Sequence, residues 1–193
     1  FYFVFLGISA VLAVLYTETR MRKAQVQYYS EYDAMTNSFN RNTGIQRLNE
    51  VYKNLPKNNC TTSLCFLDVN GLKEVNDVLG HEAGDELLIT VADVVRSNIR
   101  ADDFMIRFGG DEFVVVLSGV APERAEQVWE RIVESFERIN QTENRKYVIS
   151  VSHGIEEISC SIDRMLDSVL HQADEKMYEE KRRIKSNLQV IRK

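Results

Sequence analysis

Residues 104–117 contain the feature that most limits how this chain folds. Two apolar runs, Phe104–Ile106 and Phe113–Leu117, enclose the stretch "RFGGDEF" of residues 107–113. Glycine supplies the positive φ that tight reversals between strands demand, so a hairpin of two buried strands is predicted here. The reversal carries two glycines and two carboxylates: Gly109, Gly110, Asp111 and Glu112. Taken alone, such a stretch is more often an exposed acidic turn.

Asp68 lies near the end of another apolar run, Thr62–Val69, which is typical of a central strand covered on both faces. Asp68 by itself also fits a helix cap that accepts amide hydrogen bonds from the following residues. If the hairpin neighbours this strand, Asp68, Asp111 and Glu112 meet at one edge of the sheet. Like charges that close together need a cation between them. Oxygen ligands without His or Cys favour Mg²⁺ or Mn²⁺, with a nucleoside triphosphate as the natural substrate.

The order of the helix and strand patterns predicts an α/β fold, an α+β sandwich with a mixed central sheet flanked by helices. Apolar residues recur at helical spacing in four segments: Thr43–Leu55, Leu87–Val95, Ala125–Phe136 and Ile162 to about Arg183. Strands are predicted at Thr62–Val69, on both sides of the glycine pair, at Tyr147–Ser152 and at Leu188–Ile191.

Residues 1–16, "FYFVFLGISAVLAVLY", carry no charge. A bilayer span needs roughly 20 apolar residues, so we interpret this run as the end of a transmembrane helix. Arg20, Arg22 and Lys23 follow directly and favour the cytoplasmic side. The predicted location is therefore the inner (cytoplasmic) membrane, with residues 17–32 as a helical linker able to dimerise. A buried or dimer-forming helix is the alternative reading of residues 1–16.

The charge balance argues against some classes of partner. The net charge is -5 at pH 7, whereas a general nucleic-acid surface needs clustered Lys and Arg. The three cysteines, Cys60, Cys65 and Cys160, share no metal-ligand spacing and are interpreted as reduced thiols. No nucleic acid and no zinc are therefore expected.

Five stretches in the same order resemble the motifs of the GGDEF domain family, the diguanylate cyclases, and this resemblance covers residues 33–193. The stretches are "DAMTNSFNR" (Asp33–Arg41), "FLDVNGLKEVNDVLGHEAGD" (Phe66–Asp85), "RFGGDEF" (Arg107–Phe113), "SVSHG" (Ser150–Gly154) and "ADEKMYEEK" (Ala173–Lys181). The resemblance implies a palm-like nucleotidyl cyclase fold and the condensation of two GTP into cyclic di-GMP with release of two pyrophosphates. It also implies two Mg²⁺ (or Mn²⁺) per active site, held by Asp68, Asp111, Glu112 and the Val69 carbonyl, with Asp111 as proton acceptor.

The resemblance assigns further residues to the substrate. Asn76 and Asp85 match positions that read guanine, although by themselves they also fit a helix end and a helix cap. Leu72 and Lys73 match positions near the triphosphate, and Gly109 and Gly110 leave room for it. Two basic residues of the last helix, Lys181 and Lys185, match phosphate contacts. Lys185 stands where the family has Arg, and both also fit a solvated basic helix end.

A regulatory site is implied by Arg100 and Asp103, which form an R-x-x-D at the family's spacing before the glycine pair. Arg can clamp a phosphate or stack on guanine, and Asp can accept from the guanine edge. The resemblance thus implies feedback inhibition by cyclic di-GMP. Because each domain holds one GTP, it also implies a homodimer.

Besides Lys185, four positions depart from the family pattern: Asn37 and Ser38 replace Gly-Leu, Glu180 replaces Ala, and Ile184 replaces Gly. None of them belongs to the predicted metal ligands. The main alternative to an active enzyme is a non-catalytic GGDEF receptor that binds cyclic di-GMP or GTP. A related enzyme that makes a linear or mixed-purine product is a further alternative.

Overall fold

The computed structural model describes residues 12–22, 28, 30–55, 61–159, 165–186 and 188–192. Within them, one five-stranded sheet is flanked by helices, which confirms the predicted α+β fold. The strands are β1 (Phe39–Asn40), β2 (Thr61–Val69), β3 (Phe104–Arg107), β4 (Glu112–Leu117) and β5 (Val151–Ser159). The helices are α1 (Arg41–Asn54), α2 (Leu72–Leu79), α3 (His81–Asn98), α4 (Pro122–Thr142) and α5 (Leu166–Lys185).

The strand order is β1-β3-β4-β2-β5, and β1 alone among these strands pairs in parallel, against β3. The sheet is therefore mixed, as predicted. The strand β2 lies between β4 and β5 and is buried along almost its whole length. This central position explains why its sequence is apolar on both faces.

The two faces of the sheet carry different helices. Alternate side chains of β2 point to opposite faces: Cys65 and Leu67 pack in the core with α3 and α4, whereas Leu64 and Phe66 pack with α1 and α5. Asp68 continues the second series, so its carboxylate lies on the face covered by α5.

The last predicted strands differ from the structure. Residues 147–150 are not part of β5; Tyr147 makes an isolated bridge to Ile191, and the Val148 amide donates to the Val190 carbonyl at 2.7 Å. The backbone of Ile149 bonds instead to the Asn140 side chain, with both contacts at 2.8 Å. A side chain of α4 therefore takes the place of a neighbouring strand there.

The predicted location at the cytoplasmic membrane is wrong. Along the described residues, no helix has the length and apolar character needed to cross a bilayer. Residues 12–22 are helical, and this helix contains the last five residues of the predicted span and the first six of the predicted linker. Residues 1–11 of the predicted transmembrane helix lie outside the described residues.

His153 joins α4 and α5 around the free edge of β5. Its Nδ1 lies 2.8 Å from Glu180 Oε2, and its Nε2 lies 3.0 Å from Glu126 Oε2. Its ring also stacks on Trp129, with centroids 4.5 Å apart. Burial opposes protonation of this imidazole, but the carboxylates of Glu180 and Glu126 outweigh burial and raise the pKa of His153.

The stabilising effect of His153 should therefore fall as the pH rises. Its charged form contributes fully below the unfolded-state pKa of about 6.5, and the contribution is lost as the pH passes the raised folded-state pKa. We expect His153→Gln to lower the free energy of unfolding more at pH 6 than at pH 9, measured by urea denaturation. The exposed His171→Gln is the control, with changes within about 0.5 kcal/mol. An equal effect of His153→Gln at both pH values would contradict the ion-pair role.

Candidate active site

The site begins where β2 and β4 end side by side. Asp68 lies opposite Glu112 in the antiparallel ladder, and the Val69 amide donates to the Asp111 carbonyl at 2.9 Å. This bond makes Asp68 and Glu112 a non-hydrogen-bonded pair, the kind whose side chains approach more closely. The structure thus brings Asp68 to the Gly109–Glu112 turn, as the sequence predicts.

The two glycines of the turn do not have the positive φ expected of them. In the described residues, positive φ among glycines occurs at Gly71, Gly80 and Gly119. A Cβ on Gly109 would lie 2.6 Å from Glu112 Oε2, so the flexible end of that side chain would have to move. A Cβ on Gly110 would have no described atom within 4 Å apart from those of Gly110 and its two chain neighbours.

Arg107, the cation next to the turn in sequence, binds the turn backbone and Asp33. Its guanidinium donates to the Gly110 carbonyl at 2.9 Å and to Asp33 Oδ1 at 3.0 Å. Burial alone would raise the pKa of Asp33, but hydrogen bonds from Thr36 and the Arg107 guanidinium lower it. Asp33, from the Asp33–Arg41 motif, therefore holds the glycine turn through Arg107. In the Asp33–Arg41 motif, the atypical Asn37 adopts φ 55°, a conformation that Asn tolerates. The turn of this motif is therefore retained.

The charge beside Asp68 comes from α5. Lys181 Nζ donates to Asp68 Oδ2 at 2.7 Å, and Asp68 is 4% exposed. The other carboxylate oxygen, Asp68 Oδ1, is buried and has no hydrogen-bond partner. A buried acceptor without a partner costs free energy, so this oxygen is free to take a ligand.

The surroundings of Asp68 and Glu112 disfavour ionisation of both carboxyl groups. Burial raises the pKa of Asp68, reinforced by Asp111 and Asp174, and the Lys181 ammonium only partly offsets this. Burial followed by the charges of Asp111, Asp68 and Asp174 raises the pKa of Glu112. Added positive charge at this place would therefore stabilise the ionised site.

Asp174 was missed by the sequence reasoning. It belongs to α5 and its charge acts on both Asp68 and Glu112. Asp174 precedes Lys181 by seven residues, and two helical turns put both on one face of α5. That spacing is the signal that would have found it.

These donors fit a hard divalent cation. The acidic neighbours of the free Asp68 oxygen are carboxylates, the ligands that Mg²⁺ and Mn²⁺ prefer. In the conformation seen, no three His, Cys, Asp or Glu side chains of the described part of the chain are grouped closely enough to hold an ion. The Lys181 ammonium instead binds one Asp68 oxygen, so metal binding requires these side chains to turn toward a common point.

A cleft of about 550 Å³ opens beside this cluster. Gly71, with φ 73°, ends the turn after β2, and α2 begins at Leu72 with its first amides at the cleft. The predicted site residues that line it are Val69, Leu72, Lys73, Asp111, Lys181 and Lys185. A helix N-terminus and three lysines beside acidic groups suit a phosphorylated ligand bound with a cation.

The two predicted guanine readers lie outside the walls of this cleft, on the α2–α3 hairpin. Asn76 is half-buried and Asp85 is exposed. A Cβ on Gly84 would lie 1.9 Å from Asn76 Oδ1, so α3 approaches α2 closely there. Asn76 therefore lies next to the residue that precedes Asp85. The structure places these two residues beside each other, outside the lining of the cleft.

Arg100 and Asp103 lie at the opposite end of β3 from the glycine turn. Asp103 Oδ2 accepts from the Arg100 amide at 2.9 Å, and its Oδ1 accepts from the Ser118 amide at 3.0 Å. Asp103 thus closes a turn. A cavity of about 140 Å³ lies beside the pair and adds two arginines that the sequence reasoning did not single out, Arg124 and Arg131.

The chain is similar to several known proteins. The family model described as "Diguanylate cyclase, GGDEF domain" matches residues 30–187. Diguanylate cyclase DgcS of Shewanella oneidensis is 31% identical over 83% of this chain and 53% of its own length. Probable diguanylate cyclase DgcC of Escherichia coli K12 is 26% identical over 90% of this chain and 47% of its own length.

Among solved structures, the coiled coil and GGDEF domain of DgcB from Caulobacter crescentus, in complex with c-di-GMP, has a TM-score of 0.76. The identity is 28%, and the match covers 91% of this chain and 94% of that chain. Across four curated relatives, the chain spans 21% to 53% of their length.

Proposed function

The chain belongs to the GGDEF domain family, and we propose that it is a diguanylate cyclase that joins two GTP into cyclic di-GMP. In each half of the reaction, a ribose 3′-oxygen bonds to the α-phosphorus of the other GTP and pyrophosphate leaves. The observation that carries the proposal is the unpartnered Asp68 oxygen, buried opposite Glu112 beside a cleft lined by three lysines. The presence of Asp68, Asp111 and Glu112 supports the cyclase over a receptor that has lost its catalytic groups.

The acidic residues would hold the metal. Asp68, Asp111, Glu112 and the Val69 carbonyl are the proposed ligands of two Mg²⁺ or Mn²⁺. Bound there, the ions would neutralise the triphosphate and make the attacking hydroxyl more acidic. Asp111 lines the cleft and is the proposed proton acceptor.

Other residues bind the substrate. Lys181, Lys185 and the first-turn amides of α2 at Leu72 and Lys73 would hold the phosphates. Gly109 and Gly110 present backbone without side chains on the turn beside Glu112, where a substrate can approach. Asn76 and Asp85 would read guanine, since Asp accepts from the N1 and N2 donors and Asn pairs with an acceptor of the ring.

Catalysis needs two copies of the domain, because one domain holds one GTP and cannot close the ring. Residues 17–32 are the proposed dimerising linker. The matching structure of DgcB includes a coiled coil together with its GGDEF domain, which supports this arrangement. The proposed assembly is a homodimer with its two clefts facing each other.

Incubation with GTP and Mg²⁺, followed by mass spectrometry, tests the function. We expect cyclic di-GMP and two pyrophosphates per product, and no turnover when EDTA removes the metal. Linear pppGpG, or no turnover in a verified dimer, would reject the cyclase. In that case cyclic di-GMP or GTP binding without turnover would favour the receptor.

Arg100 and Asp103 are the proposed site of feedback by the product. We expect Arg100→Ala to raise the concentration of cyclic di-GMP needed for half inhibition at least about tenfold, since a charged hydrogen bond contributes about 1.5 kcal/mol or more. Initial rates at increasing product concentration measure this. The exposed Arg138→Ala on α4 is the control. Unchanged inhibition in Arg100→Ala would remove the feedback site.

A further inference from the structure

The free edge of β5 is covered by side chains of α5. Lys176 Nζ donates to the Ile155 carbonyl at 2.7 Å, and the His153 amide donates to Glu180 Oε2. Lys176 and Glu180 are one helical turn apart, so they meet backbone groups two residues apart on the strand. An edge strand needs such partners for its outward amides and carbonyls. These bonds fix the position of α5 along β5.

The same Glu180 takes part in the ion pair that ties α5 to α4. His153 lies between Glu180 on one side and Glu126 on the other, and its side chain is 15% exposed. Because α4 and α5 pack on opposite faces of the sheet, the imidazole links both faces around the edge of β5. His153 therefore binds Glu180 through two groups, its backbone amide and its imidazole ring.

The position of α5 matters at the proposed active site. Lys181 follows Glu180 directly, and its Nζ lies 2.7 Å from Asp68 Oδ2. A hydrogen bond of that length is lost with a displacement of about 1 Å. Movement of this part of α5 therefore moves the ammonium group that faces both Asp68 and the cleft.

We propose that Glu180 and His153 are positioning residues for the nucleotide site, acting through Lys181. Bound to the edge of β5, Glu180 holds the last turns of α5 where Lys181 meets Asp68 and the phosphates of GTP. This inference rests on the proposed function. Position 180 is one of the places where this chain departs from the family pattern.

The test is a double-mutant cycle on the full chain with GTP as substrate. We expect Glu180→Ala to raise the KM for GTP roughly tenfold with a smaller change in kcat, as is typical when a supporting partner of a binding group is lost. Glu180→Gln keeps an acceptor for the His153 amide and should recover part of the loss. The exposed Glu179→Ala is the matched control. In a Lys181→Ala background, Glu180→Ala should change KM by less than about twofold, because coupled residues are not additive.

Two kinetic results and one exchange result would overturn the inference. One is a Glu180→Ala variant with the KM of the wild type. The other is an equal loss from Glu180→Ala with and without Lys181, which would mean that Glu180 acts only on overall stability. Hydrogen exchange of α5 amides, which needs no substrate, should be faster in Glu180→Ala than in Glu179→Ala. A wild-type protein without cyclase activity would reject the proposed function, whereas unchanged exchange would reject the attachment of α5 itself.

Discussion

Replacing Asp68 by Asn should reduce the rate of cyclic di-GMP formation by about a thousandfold or more, beyond the 10- to 100-fold typical of groups one step away from a metal. Asn has nearly the shape of Asp but lacks its charge, and Asp68 Oδ1 is the buried oxygen without a partner. Steady-state rates at saturating GTP and Mg²⁺ measure the effect. The exposed Asp167→Asn in the first turn of α5 is the control for loss of one carboxylate. Activity of Asp68→Asn within tenfold of the wild type would contradict the metal assignment.

The same substitution should leave the fold at least as stable. Because burial raises the pKa of Asp68 above its unfolded value, ionised Asp68 opposes folding at neutral pH, and the neutral Asn avoids that cost. Lys181 loses a partner, but its side chain is 32% exposed and can be solvated. Urea denaturation at pH 7 should therefore give an unfolding free energy equal to or above that of the wild type. A large loss of stability would mean that Asp68 serves mainly the fold.

Gly154→Ala should destabilise the protein by about 3 kcal/mol, the upper part of the range for overpacking. A Cβ at this position would lie 2.1 Å from the Ala173 carbonyl oxygen and 2.5 Å from the Met177 amide nitrogen. Both are backbone atoms of α5, so the whole helix has to move away from β5. Denaturation in urea gives the change in unfolding free energy. Gly110→Ala, whose Cβ meets open space, should change it by less than about 0.5 kcal/mol.

Gly154→Ala should also weaken GTP binding, because the displaced α5 carries Lys181 away from Asp68. The KM for GTP, measured in the fraction that folds, reports this effect. If Gly154→Ala were as stable as the wild type, α5 would not lie as close to β5 as the structure has it.

The parts of the site that could be predicted are those encoded by local pattern. The apolar run of β2 ends at Asp68, and the glycine pair fixes where β3 and β4 reverse. Antiparallel pairing of these strands then puts Asp68 opposite Glu112. Strand burial and the glycine pair were sufficient to locate these strand ends, because both act over a few residues. That β4 lies beside β2 was a condition of the prediction, and the structure meets it.

What could not be predicted depends on contacts between distant segments. The sequence of β5 lacks a clear strand pattern because it contains polar residues, among them His153 and Glu156. These two side chains bind charged residues of α5 at the edge of the sheet. The break between α2 and α3 falls at Gly80, whose φ of 91° separates two segments of helical sequence. The roles of Asp174 and Glu180 appear only once α5 lies on the sheet.

Titration of the protein with Mn²⁺, followed by electron paramagnetic resonance, tests most directly whether the acidic cluster is a metal site. The account predicts that wild type and Asp167→Asn bind Mn²⁺ alike, and that Asp68→Asn binds it at least about tenfold more weakly. Equal Mn²⁺ affinity in Asp68→Asn and the wild type would contradict it.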